Sequence, residues 1–182
     1  MYIRTEETPN PEALKFIPGV EVTDAGSYYF KSVDEARSSF LARKLLSTSG
    51  IDAVFFGNDF ITITKNKDSD WFVLKPEAII LIMDHFSSGL SAIDTVSDQR
   101  EAAVELKTEI EKQIFEIIET RVRPSVAMDG GDIIYRGFED GIVKLELKGA
   151  CSGCPSSTVT LKNGIESMLK HYVPEVISVE EI

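Results

Sequence analysis

Residues Ile142-Val143-Lys144-Leu145-Glu146-Leu147-Lys148 alternate apolar and charged side chains, and Gly149-Ala150-Cys151-Ser152-Gly153-Cys154-Pro155 follow directly. Period-two alternation, with Val143, Leu145 and Leu147 on one side, is the pattern of a half-buried strand. Beyond Pro155, the residues Thr158, Leu161, Ile165, Met168, Leu169 and Tyr172 recur at helical spacing. Proline suits a first helical turn, where its missing N–H costs nothing. The segment therefore reads strand, loop, helix, with both cysteines of the chain in the loop and Cys154 near the helix start. The N–H groups and macrodipole at that end favour negative charge, so a thiol there is expected to shift toward thiolate, the metal-binding form. Two thiols so placed close either on one metal centre or on each other, and the flanking residues favour the metal.

Working outward, Met128-Asp129-Gly130-Gly131-Asp132 reads as a turn into a strand at Ile133-Ile134-Tyr135, and Glu139-Asp140-Gly141 reverses the chain toward the cysteines. Upstream, a helix is expected from about Asp98, with Glu101 as capping partner. Its stripe is Leu106, Ile110, Ile114, Ile117 and Ile118, and Arg123-Pro124 is expected to end it. Glu109, Glu111, Glu116 and Glu119 read as its solvated face. Glu175-Val176-Ile177-Ser178-Val179 is a last short strand. In the first half, Ile3-Arg4-Thr5 is expected to pair with Ala13-Leu14-Lys15-Phe16 across Thr8-Pro9-Asn10-Pro11. Ser32-Val33-Asp34-Glu35 has a capping-box pattern before a helix carrying Ala36, Phe40, Leu41 and Leu45. Gly57-Asn58-Asp59 joins two strands as a hairpin. Pro76 is expected to open a helix with Ile79, Ile82, Met83 and Phe86 on one face, after an apolar run Trp71-Phe72-Val73-Leu74. Phe55, Phe56, Phe60, Trp71 and Phe72 read as core, and His85 and His171 as helix-surface or helix-end residues rather than ligands. The fold class is α/β (α+β): two small domains, each a short sheet packed against two helices. Their limits are 1–90 and 98–182, with a small, polar linker at 91–97.

The 182 residues include 43% hydrophobic side chains and carry a net charge of −11. Both halves are acidic, and no cluster of Lys and Arg offers phosphate contacts, so nucleic acid is not an expected partner. No apolar run approaches the roughly 20 residues of a membrane span, so no membrane association is expected. Two neighbouring cysteines do not make a secreted disulfide framework. The N-terminal residues lack a basic start and apolar middle, which leaves bacterial cytoplasm or, for a processed form, the mitochondrial matrix.

The run from Val126 to Asp132, taken with Gly149-Ala150-Cys151-Ser152-Gly153-Cys154-Pro155-Ser156-Ser157-Thr158, resembles the C-terminal domain of NifU-like iron–sulfur cluster scaffold and carrier proteins. Thr8-Pro9-Asn10-Pro11-Glu12-Ala13-Leu14-Lys15-Phe16 is similar to the separate N-terminal domain of Nfu-type members. The resemblance implies a 4Fe–4S cluster held between two copies of the chain, with Cys151 and Cys154 as ligands, and passed to recipient apoproteins. It also implies a homodimer on cluster binding, upstream assembly proteins as partners, and no enzymatic turnover. The ligand arithmetic agrees: a cubane takes four thiolates, and one chain supplies two. Two rivals use the same residues. A thioredoxin-like thiol–disulfide oxidoreductase also places CxxC at a helix start, but here Ser152-Gly153 lie between the cysteines and the proline follows them. A zinc-binding module is the other, since four sulfurs suit zinc as well. Asp129-Gly130-Gly131-Asp132 lacks the lysine and spacing of a phosphate loop and reads as a turn whose glycines permit positive φ or close approach.

Overall fold

The computed structural model describes residues 1–24, 26–94, 106, 108–153 and 155–182, leaving aside the side chains of 155–157. The first sheet has five antiparallel strands: β1 (Arg4–Glu7), β2 (Ala13–Ile17), β3 (Tyr28–Phe30), β4 (Ile51–Phe56) and β5 (Ile61–Lys65), in the order β1-β2-β5-β4-β3. The β1–β2 pairing matches Thr5 with Phe16 across the proline-rich turn, and β4 and β5 form the expected hairpin. Helices α1 (Phe40–Leu46) and α2 (Trp71–Ser87) cover one face of this sheet. Leu14, Phe16, Val54, Phe56, Ile61 and Ile63 meet Leu41, Leu45 and Ile82 there in one core. Ala92 belongs to the same core, and the Asp94 N–H donates to the Ser38 carbonyl, so packing on this unit continues to residue 94.

Several expectations for this half need correction. The helix expected after Ser32 is divided. A single 3-10 turn spans Glu35–Ser38, where the Glu35 N–H donates to Ser32 Oγ, and α1 starts afresh with Ser39 as its N-cap. Ser39 wins because its extended backbone lets Oγ accept from the Ala42 N–H, the geometry a cap requires. Phe40 then falls outside the core and is exposed. Pro76 lies inside α2 instead of opening it. The Asp70 carboxylate accepts the Phe72 N–H and caps the helix five residues earlier than Pro76 would, and buried Leu74 anchors the first turn. Phe72, at 88% exposure, is therefore surface, not core. His85 is buried, with Nε2 against the Ser91 carbonyl at 2.9 Å, and is no surface residue.

In the second unit β6 (Gly131–Glu139) and β7 (Ile142–Gly149) form an antiparallel hairpin, and β8 (Ser178–Glu181) adds to β7 in parallel. The hairpin turns at Asp140 and Gly141, both at positive φ. Helices α3 (Glu109–Ile117), α4 (Arg123–Met128) and α5 (Pro155–Tyr172) flank a core of Ile114, Ile118, Val126, Tyr135, Val143 and Leu169 with their neighbours. The helix start expected near Asp98 lies outside the described residues. Glu109 follows a true capping box, Thr108 with Glu111, and Glu111 is buried beneath the Tyr135 hydroxyl, not solvated. Burial, then the Glu111 charge, pushes the Tyr135 phenol well above its ordinary range. Arg123-Pro124 does not end the helix. Residues Ile118–Val122 make a π turn in which the Arg123 N–H reaches back to the Ile118 carbonyl, and the wider turn carries the chain past a proline into α4. The final strand begins at Ser178; Val176 enters the core before it, while Ile177 points to solvent.

Candidate metal centre

Strand β7 ends at Gly149, whose φ of 69° turns the chain sharply out of the sheet. The following loop is pinned by main-chain bonds: Ala150 N–H to the Gly130 carbonyl at 3.1 Å and Ser152 N–H to the Gly149 carbonyl at 3.1 Å. Thr158 Oγ1, in the first turn of α5, donates to the Cys151 carbonyl at 3.2 Å. The sulfur of Cys151 settles over Gly131, which is paired with Gly149 across the hairpin. A Cβ on Gly131 would lie 2.7 Å from that sulfur, so the glycine at this position makes room for it. The close approach anticipated for Asp129-Gly130-Gly131-Asp132 is this one, and Gly130 takes a φ of 82° to make the turn.

Cys151 is buried, at 7% exposure. Burial, reinforced by the Asp129 and Asp132 charges, pushes its thiol up to about 12. At Cys151 the loss of water and two nearby carboxylates both favour the neutral thiol; the thiolate shift expected at the helix start concerns Cys154. Cys154 lies outside the described residues. Among the described residues, no group of three His, Cys, Asp or Glu side chains is gathered as a ligand set.

Behind the loop, Arg123 clasps Asp132 with two bonds, Nε to Oδ1 at 2.8 Å and an Nη to Oδ2 at 2.9 Å, and also bonds Glu119. Its guanidinium is held firmly charged, chiefly by the Asp132 bond. Asp132 further accepts the Ile133 N–H at 2.8 Å and the Ser27 hydroxyl at 2.7 Å. Planar, bidentate pairing of this kind fixes orientation as well as charge. Arg123→Ala is expected to lower stability by about 2 kcal/mol, since Asp132 would keep its burial and lose its cation. Urea unfolding of the two proteins checks this.

Sequence reading missed the groups supplied by the first unit. Asn10 Nδ2 donates to the Ala150 carbonyl at 3.2 Å, Thr62 Oγ1 to the Gly130 carbonyl at 2.7 Å, and Lys15 Nζ to the Ala127 carbonyl at 3.0 Å. Tyr29 lies beside the Ser152 side chain, between the two cysteines, and burial raises its phenol above the ordinary value. One signal for these contacts existed. Ala13, Ala53 and Phe55 alternate with core residues, which makes β2 and β4 largely apolar on both faces, whereas a sheet covered by helices on one side alternates apolar with polar.

Residues 114–180 match the family model described as NifU-like domain, and residues 3–89 the one described as scaffold protein Nfu/NifU N terminal. The human NFU1 iron-sulfur cluster scaffold homolog, mitochondrial, is 50% identical over 183 residues, which cover 100% of this chain and 72% of that protein. The chain belongs to the Nfu/NifU iron–sulfur cluster scaffold family. The Drosophila virilis homolog of the same description is also 50% identical, over 100% of this chain and 62% of its own length. This Nfu-type chain thus spans less than two thirds of the fly protein. A solution structure of a NifU-like protein from Saccharomyces cerevisiae is 31% identical and covers 52% of this chain and 86% of its own, with a TM-score of 0.48. Family membership makes the chain an iron–sulfur cluster scaffold or carrier and not an enzyme. Among the described residues no helix is long and apolar enough to cross a membrane.

Proposed function

We propose that Cys151 and Cys154 are the cluster ligands, that two chains share one 4Fe–4S cluster through them, and that the cluster is cargo passed on to recipient apoproteins. The observation that carries this reading is the seat of Cys151: a main-chain-pinned loop that holds one soft sulfur over a glycine just beyond the end of β7. Four thiolates complete a cubane, so a chain with two cysteines reaches that number by pairing with another copy. Release then proceeds by ligand exchange. Each incoming thiolate of a recipient binds iron as one Cys thiolate leaves and takes up a proton, with no change in oxidation state. The proposed division of labour gives residues 98–182 the cluster and residues 1–90 the contacts with recipients and upstream assembly proteins, joined through 91–97. The mitochondrial matrix is the proposed compartment, because the relatives named above are mitochondrial proteins.

Anaerobic reconstitution of the full chain, with iron, acid-labile sulfide and mass measured on one sample, tests this reading. About four irons and four sulfides per two chains are expected, with Cys151→Ser and Cys154→Ser retaining neither. A loaded monomer with one cluster per chain and no added thiol would sink the sharing, and tetrahedral zinc without sulfide would sink the cluster.

A further inference from the structure

One cross-strand row runs over the first sheet on the face turned away from α1 and α2. Registration places Lys15 of β2 beside Thr62 of β5, Thr62 beside Phe55 of β4, and Phe55 beside Tyr29 of β3. Each member of this row meets the cysteine loop or the turn beneath it. Lys15 donates to the carbonyls of Ala127 and Met128, Thr62 to that of Gly130, and Tyr29 lies beside Ser152. Phe55 stands against Gly149, where an added Cβ would come within 3.1 Å of its ring. Phe55 is 1% exposed and yet belongs to neither domain core; like Ala13 and Ala150 it is buried outside both. Four consecutive strands therefore aim one row of side chains at one loop, and the surfaces fit closely enough to shut out water.

We propose that this row of the N-terminal sheet is a cover for the cysteine loop of the same chain, and that it must lift before a second chain can complete the cluster. The inference rests on the shared-cluster reading above. A partner's loop has to approach Cys151 over the surface that Thr62 and Asn10 occupy by bonding the Gly130 and Ala150 carbonyls. Docking and sharing compete for those groups. The bonds from Asn10, Lys15 and Thr62 run from side chains of one unit to main-chain carbonyls of the other, with Ser27 to the Asp132 carboxylate beside them, and such contacts can be exchanged for water without disturbing either core. A carrier built this way keeps its cysteine loop covered when empty. Loading displaces the N-terminal unit, and its row around Phe55 is then free to meet a recipient.

The test uses the full chain and two substitutions in the row. Thr62→Arg places a long cation on the face that carries no helix, and Lys15→Ala removes two donors. Alkylation of Cys151 in the apoprotein, read by mass spectrometry of the peptide, is expected to quicken about tenfold or more in Thr62→Arg and severalfold in Lys15→Ala, following the larger population of the open form. Wild-type protein loaded with cluster is expected to scatter X-rays as an extended particle like apo Thr62→Arg, whereas the wild-type apoprotein scatters as a compact one. Unchanged alkylation in both variants, with circular dichroism matching wild type, would overturn the cover. If Thr62→Arg does not fold, Lys15→Ala decides alone. A loaded wild type as compact as the apoprotein would overturn the competition between docking and loading. Failure of the wild type to take up iron and sulfide would instead count against the shared-cluster reading, and the alkylation arm would still decide whether the cover exists.

Discussion

At pH 8, Cys151 of the apoprotein is expected to alkylate about a thousandfold more slowly than the same residue in the unfolded chain. The reactive species is the thiolate. A thiol at the ordinary value of 9.0 is about one-tenth ionised at pH 8, whereas one pushed up to about 12 is ionised to about one part in ten thousand. The cause is burial first and the Asp129 and Asp132 charges second, so the slowing should shrink in urea, which removes the burial. The same shift carries a stability effect whose sign is fixed. The folded thiol holds its proton more tightly than the unfolded one, so its contribution is fully present below pH 9.0 and is lost as pH rises through the folded value near 12. The loss is about 1.4 kcal/mol per pH unit across that window. Cys151→Ser should lack this component, and the difference between the two unfolding curves isolates it from the titration of lysines and tyrosines. A wild-type alkylation rate equal to that of the unfolded chain would show that Cys151 is not sheltered in solution.

The elements most legible in the sequence were those whose signals were local. Alternation in Ile142–Lys148, the glycine of Asp140-Gly141 and the proline at Pro155 each act within a few residues, and β7, the hairpin turn and α5 follow them. Pro124 and Pro76 misled for the opposite reason. A proline excludes one backbone donor, not a helix, and a π turn before Pro124 or an earlier cap at Asp70 lets the helix pass through. Glu111 read as surface because its partners, Thr108 and Tyr135, are respectively a cap and a residue 24 positions away. At the site, the cysteine loop is visible from Gly149 to Pro155, but its electrostatics are not. The carboxylate of Asp132 reaches Cys151 only because β6 and β7 pair, and Thr62 reaches Gly130 only because two separate units dock. The two-faced apolar pattern of β2 and β4 marks the docking face but not the partners that meet across it.

Gly131→Ala is expected to cost about 3 kcal/mol and to abolish stable cluster retention, although it adds a single methyl group. The new Cβ would lie 2.7 Å from the Cys151 sulfur and 2.7 Å from the Lys148 carbonyl. The sulfur sits on a side chain and can move, but the carbonyl belongs to the backbone of β7, on the strand paired with Gly131. Relief therefore comes from separating the two strands beneath the loop or from rotating Cys151 away from its seat. The first weakens the domain, and the second moves the Cys151 sulfur out of the position that the proposed shared cluster requires. Gly164→Ala gives the contrast. Gly164 is an exposed residue inside α5 with nothing within 4 Å of an added Cβ, so there the methyl only restricts the unfolded chain and should raise stability by up to about 1 kcal/mol. Urea unfolding and iron content of both variants after identical anaerobic reconstitution separate the two cases. Wild-type iron content in Gly131→Ala would mean that the glycine serves the strand pairing and not the sulfur, and that the ligand loop tolerates a displacement the packed hairpin does not suggest.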